Sequence, residues 1–202
     1  MSAVLKQKTI SYQEYLDIEA QSEVRYEYYY GEIFAMAGSS KRHNEIVLNL
    51  SAALRNIARP RGCKVFAENV KFELSNERHY VYPDVIYTCH PDDLNEGTSV
   101  AHPSLVVEVL SDSTESYDRS GKLQHYLGKA SVQYYLLVSQ NQYQVQCYGR
   151  LNDMWQFRFF NTLDQIIDLP NLGLSLNMSE IYEGITLSNL DPDNPTDILT
   201  DV

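Results

Sequence analysis

The chain has 202 residues, 44% of them hydrophobic and 21% charged, a balance that suits one globular domain with its own core. Its net charge of −11 argues against a polyanion partner held by total charge alone. No stretch approaches the ~20 apolar residues of a membrane span, and the opening "MSAVLKQKTISYQEY" lacks the apolar centre of a secretion signal, so a cytoplasmic protein is expected.

"ISYQEYLDIE" predicts a short helix with Ser11 as N-cap and Glu14 three residues on. "YEYYYGEIFAMAG" is aromatic and β-prone, turning near Gly31. "SSKRHNEIVLNLSAALRNIARPRG" is the clearest helix. Ile46, Val47, Leu50, Ala53, Leu54 and Ile57 keep helical spacing, a serine precedes it, and Pro60 and Gly62 end it. The stretch from Lys41 to Lys64 holds six basic residues against one acid, Glu45, and reads either as a solvated face or as an anion-binding one.

"KVFAENVKFEL" predicts one half-buried strand, turned back by "NERH" into a second, "YVYPDVIYT". The long connection "CHPDDLNEGTSVAHP" leads to the buried strand "SLVVEVLS". "STESYDRSGKLQHYLGKA" is helical, "VQYYLLVS" is a central strand, and "QYQVQCYG" and "MWQFRFF" continue the sheet through the turn "RLND". Interleaved strands and helices with hairpins at both ends predict an α/β fold, a mixed sheet with helices packed on it. Residues 1–185 are read as one domain and 186–202 as an acidic, loose tail. Cys63, Cys89 and Cys147 are odd in number and far apart, and are expected to be reduced thiols. Cys89-His90 has no partner pair at zinc spacing, and His79, His102 and His125 fall in no pattern.

Two acids lie inside apolar strands: Asp84 in "YPDVIY" and Glu108 in "VVEVL". A buried carboxylate is protonated or paired. Neighbouring strands are about 4.8 Å apart, so carboxylates on adjacent strands repel unless a cation lies between them, and oxygen donors suit Mg²⁺ or Mn²⁺. Lys122 supplies a nearby ammonium. Two acids, a metal ion and a lysine are the minimum for phosphodiester hydrolysis. The plainer reading of Glu108 and Lys122 is a structural ion pair.

"RYEYYYGEIFAMAG", His43 opening a helix, "YPDVIY", "LVVEVLSDST" and "DRSGKLQHYLGKASVQYYLLV" together resemble the Uma2 family, a restriction-endonuclease-like group abundant in cyanobacteria and part of the PD-(D/E)xK nuclease superfamily. The resemblance runs from about Ile10 to Ile185. It implies a restriction-endonuclease-like mixed β-sheet flanked by helices, a metal-dependent endonuclease acting on DNA, and a homodimer, since cutting two strands takes two sites. The alternative is a nuclease-derived binding or interaction protein that does not cut. Asp84 and Glu108 would hold the metal ion, with the Val109 carbonyl a further ligand, and Lys122 would complete the site. The chain departs from the simple motif at Leu110, where that motif has its lysine. The resemblance moves this role to the following helix, at Lys122. Asp112 follows "LS" where such chains often carry proline, adding a negative charge. Glu27 and Glu32 match family acids and either extend the ligand set or are solvated at the surface or salt-bridged to Arg25. His43 matches a family histidine, and is read either as contacting phosphate or polarising water, or as a capping or packing residue. Asp118, one turn before Lys122, would orient it. The many tyrosines either stack on bases or pack the sheet.

Overall fold

The computed structural model describes residues 9–187 apart from 37, 113 and 153. The expected tail lies mostly outside the described residues. The chain runs α1 (Tyr12–Gln21), β1 (Tyr26–Tyr29), β2 (Glu32–Ala35), α2 (Lys41–Ala58), β3 (Lys64–Ala67), β4 (Lys71–Ser75), β5 (His79–Val81), β6 (Val85–Thr88), β7 (Ser99–Val100) and β8 (Leu105–Leu110). It continues through α3 (Glu115–Tyr117), a π-helical turn (Asp118–Lys122), α4 (Leu123–Gly128), β9 (Tyr134–Ser139), β10 (Val145–Leu151), β11 (Met154–Phe160), β12 (Ile166–Leu169), β13 (Leu174–Asn177) and α5 (Met178–Ile181). No helix among the described residues is long and apolar enough to cross a membrane.

The fold is α/β with a mixed main sheet in the order β11-β10-β9-β8-β6-β3. Only β8 and β9 are parallel in it, because the helical stretch from Glu115 to Gly128 crosses over between them. All six residues of β8 are buried. Its odd positions Leu105, Val107 and Val109 face a core made with α2, the β12–β13 hairpin and α5. Its even positions Val106 and Leu110 face a second core holding Phe72, Val81, Tyr126 and Tyr135. By this alternation Glu108 belongs to the second face, under α4. A further sheet, β2-β1-β5-β4-β7, lies on that side. Outside it, α1 closes a tyrosine cluster in which Tyr15 stacks on Tyr28 at 4.9 Å and Tyr12 on Tyr80 at 5.1 Å. These tyrosines pack the sheet.

Two expected strands are each divided between the sheets. "KVFAENVKFEL" breaks at Glu68, whose φ of 57° turns the chain, so β3 enters the main sheet and β4 the other. "YVYPDVIYT" breaks at Pro83, which has no N–H to donate to a ladder, so β5 and β6 part likewise. The two breaks are joined where Glu68 N donates to Asp84 O at 3.0 Å. Asp84 is therefore delivered to a corner between sheets.

The expected reduced thiols are also corrected. Cys63 and Cys89 form a disulfide, while Cys147 is free and buried. The antiparallel register pairs Lys64 with Thr88, so the next step outward sets Cys63 opposite Cys89, a cross-strand relation that their separation of 26 residues does not reveal. Closing a loop of that length is worth about 3 kcal/mol. Denaturant unfolding should show Cys63→Ser losing that much, and reductant should cost the wild type the same. Alkylation of all three cysteines in unreduced, unfolded protein would contradict the bond.

His79, 3% exposed on β5, packs edge-on to His125 at 4.5 Å and to Tyr29 at 4.8 Å, and its Nε2 has no hydrogen-bond partner. Burial, aided by His125 and Lys122, lowers its pKa from 6.5 to about 4. The unfolded chain takes this proton near pH 6.5 and the folded chain refuses it until about 4, so stability falls as pH falls through that window. Melting temperatures of His79→Phe should depend less on pH there than those of wild type. Identical slopes would contradict this.

Candidate active site

Lys122 ends the π-helical turn, 6% exposed. Its Nζ lies 3.1 Å from Glu27 Oε1, 3.1 Å from Glu108 Oε1 and 3.2 Å from Asp118 Oδ1. The Glu27 and Glu108 carboxylates come from the two different sheets. Asp118 Oδ1 is buried and contacts the ammonium at an angle that makes no hydrogen bond. Asp118 and Lys122, four residues apart, share one face of this π turn, a distortion that recurs at functional sites. Gly121 sits against the Tyr117 ring, where an added Cβ would come within 2.4 Å. The ring in turn lies 5.9 Å from the ammonium.

Asp84 stands immediately before β6. The pairs Val85–Val107 and Ile86–Val106 carry it, one step on, level with Glu108. Its Oδ2 accepts from Val109 N at 2.6 Å and lies 3.2 Å from His43 Nε2. His43 occupies the first turn of α2, whose cap Ser40 accepts from His43 N at 3.0 Å. Glu27 also accepts from Tyr82 N at 3.4 Å, next to the Pro83 break. Both hydrogen bonds to Glu108, from Lys122 at 3.1 Å and Tyr126 OH at 2.7 Å, fall on Oε1. Glu27, His43, Asp84, Glu108 and Lys122 line one cleft of about 750 Å³, with Glu32 on its wall.

The electrostatics are unbalanced. Four carboxylates, of Glu27, Asp84, Glu108 and Asp118, surround the Lys122 ammonium and the His43 ring. Burial would pull Lys122 down, but Glu108, Glu27 and Asp118 outweigh it and hold the ammonium charged, its pKa well above the usual lysine value. Burial raises the Glu108 carboxyl well above its ordinary range, Lys122 opposes, and Asp118, Asp84 and Glu27 add to the rise. For His43, burial lowers the pKa, while the Asp84 hydrogen bond and charge, with Glu68 and the Val109 backbone, raise it overall. A surplus of buried oxygen donors with a carboxyl driven toward its neutral form is what a hard divalent cation relieves. The residues fit such an ion.

Several expectations change in detail. Glu27 is bound to Lys122 rather than to Arg25. Asp112 accepts from Asn141 at 3.4 Å and does not line the cleft. None of the six basic side chains from Lys41 to Lys64 lines the cleft; of their charges, Arg42 donates to Gln140 O, Arg61 to Leu172 and Gly173 O, and Lys64 to Leu94 O. Two polar groups were not foreseen. Glu19 of α1 is buried, accepting from Tyr82 OH and from Tyr26 N at 2.8 Å, and pairing with Lys71 at 3.3 Å. Its only sequence signal is an acid on the tyrosine-rich face of a short helix. His90, Asp92 and His102 form a group able to coordinate a metal ion, each offering one donor atom within 4.8 Å of the others. They lie outside the cleft.

Comparison with known proteins agrees with this architecture. Residues 12–179 match the model of the Uma2 family, described as "Putative restriction endonuclease". The uncharacterized protein slr1290 of Synechocystis sp. (strain ATCC 27184 / PCC 6803 / Kazusa) is 36% identical over 87% of this chain and 93% of its own length. The uncharacterized protein sll1609 of the same strain is 32% identical over 76% of this chain and 88% of its own. The crystal structure of a "putative nuclease belonging to DUF820" from Anabaena variabilis ATCC 29413 superposes with a TM-score of 0.70 at 18% identity, over 85% of this chain and 97% of that one, a likeness of fold. With the family model spanning most of the chain and the segments it shares converging on one cleft, the protein belongs to the Uma2 family of the PD-(D/E)xK-like restriction-endonuclease superfamily.

Proposed function

We propose that the protein is a metal-dependent endonuclease that hydrolyses DNA phosphodiester bonds in the cleft of Asp84, Glu108 and Lys122. The observation that carries this reading is the surplus of buried carboxylates around one ammonium, at a corner reached by both sheets. Asp84 and Glu108 would hold Mg²⁺ or Mn²⁺, with the Val109 carbonyl a third donor. A strand residue's N–H and C=O point to the same side, and Val109 N already holds Asp84. A divalent ion bound there supplies charge to a phosphate oxygen and makes a bound water more acidic.

The chain's own groups do the rest. Lys122 stays charged and directs its ammonium at the water or phosphate oxygen beside Glu108. Glu27 and Asp118 keep it in place, and Tyr126 fixes the carboxylate that it shares. His43 orients Asp84 and can contact phosphate from the mouth of α2. Two copies are needed to cut two strands of a duplex, so a homodimer accompanies the reading.

Asp84→Asn keeps the side chain's shape and an oxygen for Val109 N. Calorimetry should show one Mn²⁺ per wild-type chain at the cleft and none there in an Asp84→Asn, Glu108→Gln double variant. Equal affinity in the two would rule the site out.

Lys122→Ala should slow cleavage of plasmid DNA by about 10²–10³-fold, the scale for one preorganised electrostatic contact, while Mn²⁺ binding survives. It should also lower stability by about 3–5 kcal/mol, since the facing carboxylates lose their counter-charge, so the assay is run well below the variant's melting temperature. DNA binding by wild type with no cleavage in Mg²⁺ or Mn²⁺ would favour the non-cutting, nucleic-acid-binding alternative.

A further inference from the structure

We propose that His90, Asp92 and His102 form a second metal site, for a transition ion of the zinc class, separate from the cleft. His90 follows the last residue of β6 by two positions, whereas Asp84 precedes the first. Six residues of nearly extended chain span ~20 Å at ~3.3 Å each. The two groups of donors therefore sit at opposite ends of the strand and cannot share an ion. Their chemistry differs as well. The cleft offers oxygen alone, while this group offers two imidazoles and one carboxylate, the donor set of three-ligand zinc sites with a fourth position left to water.

The backbone that carries these donors is tied at both ends. The Cys63–Cys89 disulfide immediately precedes His90. Asp93, 5% exposed, accepts from Thr88 Oγ1 at 2.7 Å, Ala101 N at 2.8 Å and His102 N at 3.1 Å, drawing the two sides of the loop together. Thr88 Oγ1 accepts from His90 N at 3.1 Å. Asp93 and Thr88 thus hold both histidines by their main chain, although twelve positions separate them.

The side chains show an unmet need. His102 Nδ1 is buried without a hydrogen-bond partner and stands 3.8 Å from Asp93 Oδ1, too far to bond. Its ring stacks on that of His90, centroids 4.0 Å apart and planes 20° from parallel. His90 Nδ1 accepts from Asp92 N at 3.4 Å and lies 3.7 Å from Asp92 Oδ2, and holding one ion would tilt the two rings out of this stack. The side chains of His90 and Asp92 are 42% and 74% exposed, so solvent rather than packed core takes up the adjustment. A metal ion bound through His102 Nε2 would leave Nδ1–H directed at Asp93, which stands beside it as the carboxylate that orients a ligating histidine. The bound ion would then brace the connection between β6 and β8 from the side opposite the cleft.

The test is calorimetric titration of the full chain with ZnCl₂ in a large excess of MgCl₂, which keeps the all-oxygen cleft occupied, on wild type, His90→Ala/His102→Ala and Asp84→Asn/Glu108→Gln. Wild type and the cleft variant should bind one Zn²⁺ alike, and the histidine variant should lose at least about tenfold in affinity. Zinc should raise the melting temperature of the first two only. Melting in EDTA reports whether the histidine variant is folded; if it is not, His90→Gln/His102→Gln takes its place. No zinc binding by wild type, undiminished binding by the histidine variant, or loss confined to the cleft variant would each overturn the proposal.

Discussion

The ammonium of Lys122 joins the two halves of this molecule. It touches Glu108 in the main sheet, Glu27 in the second sheet and Asp118 in its own helical turn, all at little over 3 Å. If its purpose were only to join the sheets, one carboxylate would match it. Burying charge is costly, and unmatched buried charge more so. The surplus of carboxylate is an expense that packing does not explain, and it concentrates where the cleft opens.

The site also depends on how strands fail to continue. A strand with alternating side chains delivers acids to one face or the other, but it does not bring acids from two sheets together. Pro83 and Glu68 end β5 and β3 at the same level, and the chain changes sheets there. At the break the Asp84 main chain still pairs with Glu68 while its side chain accepts the Val109 N–H, and Tyr82 N is set against Glu27. Pro83 therefore has a mechanical role next to the acid that follows it.

Much of this was legible in the residues. Apolar runs without alternation marked β8 and β9 as central, and helical spacing from Ile46 to Ile57 marked α2. Glu108 stood out because nothing in its run could solvate it. What stayed hidden depends on register and on contacts between distant segments. The Cys63–Cys89 bond follows from a strand pairing that spacing alone does not give. The division of two strands between sheets required knowing that a second sheet existed. Glu19 looks like any acid on a short amphipathic helix until Tyr82 and Lys71 close on it. His90 and His102 are brought together by Asp93 and Thr88, whose side chains tie a loop that reads only as polar. The π turn at Asp118–Lys122 has no sequence signature beyond Gly121, the one residue that lets the Tyr117 ring lie so close.

The most direct test of this account is a crystal structure of the protein grown with Mn²⁺, using the metal's anomalous scattering to locate it. The account predicts a peak coordinated by Asp84 and Glu108, with the Val109 carbonyl in its shell and Lys122 still beside Glu108. A cleft holding no anomalous peak at saturating Mn²⁺, with the Lys122–Glu108 pair and the Asp84–Val109 hydrogen bond unchanged, would contradict it.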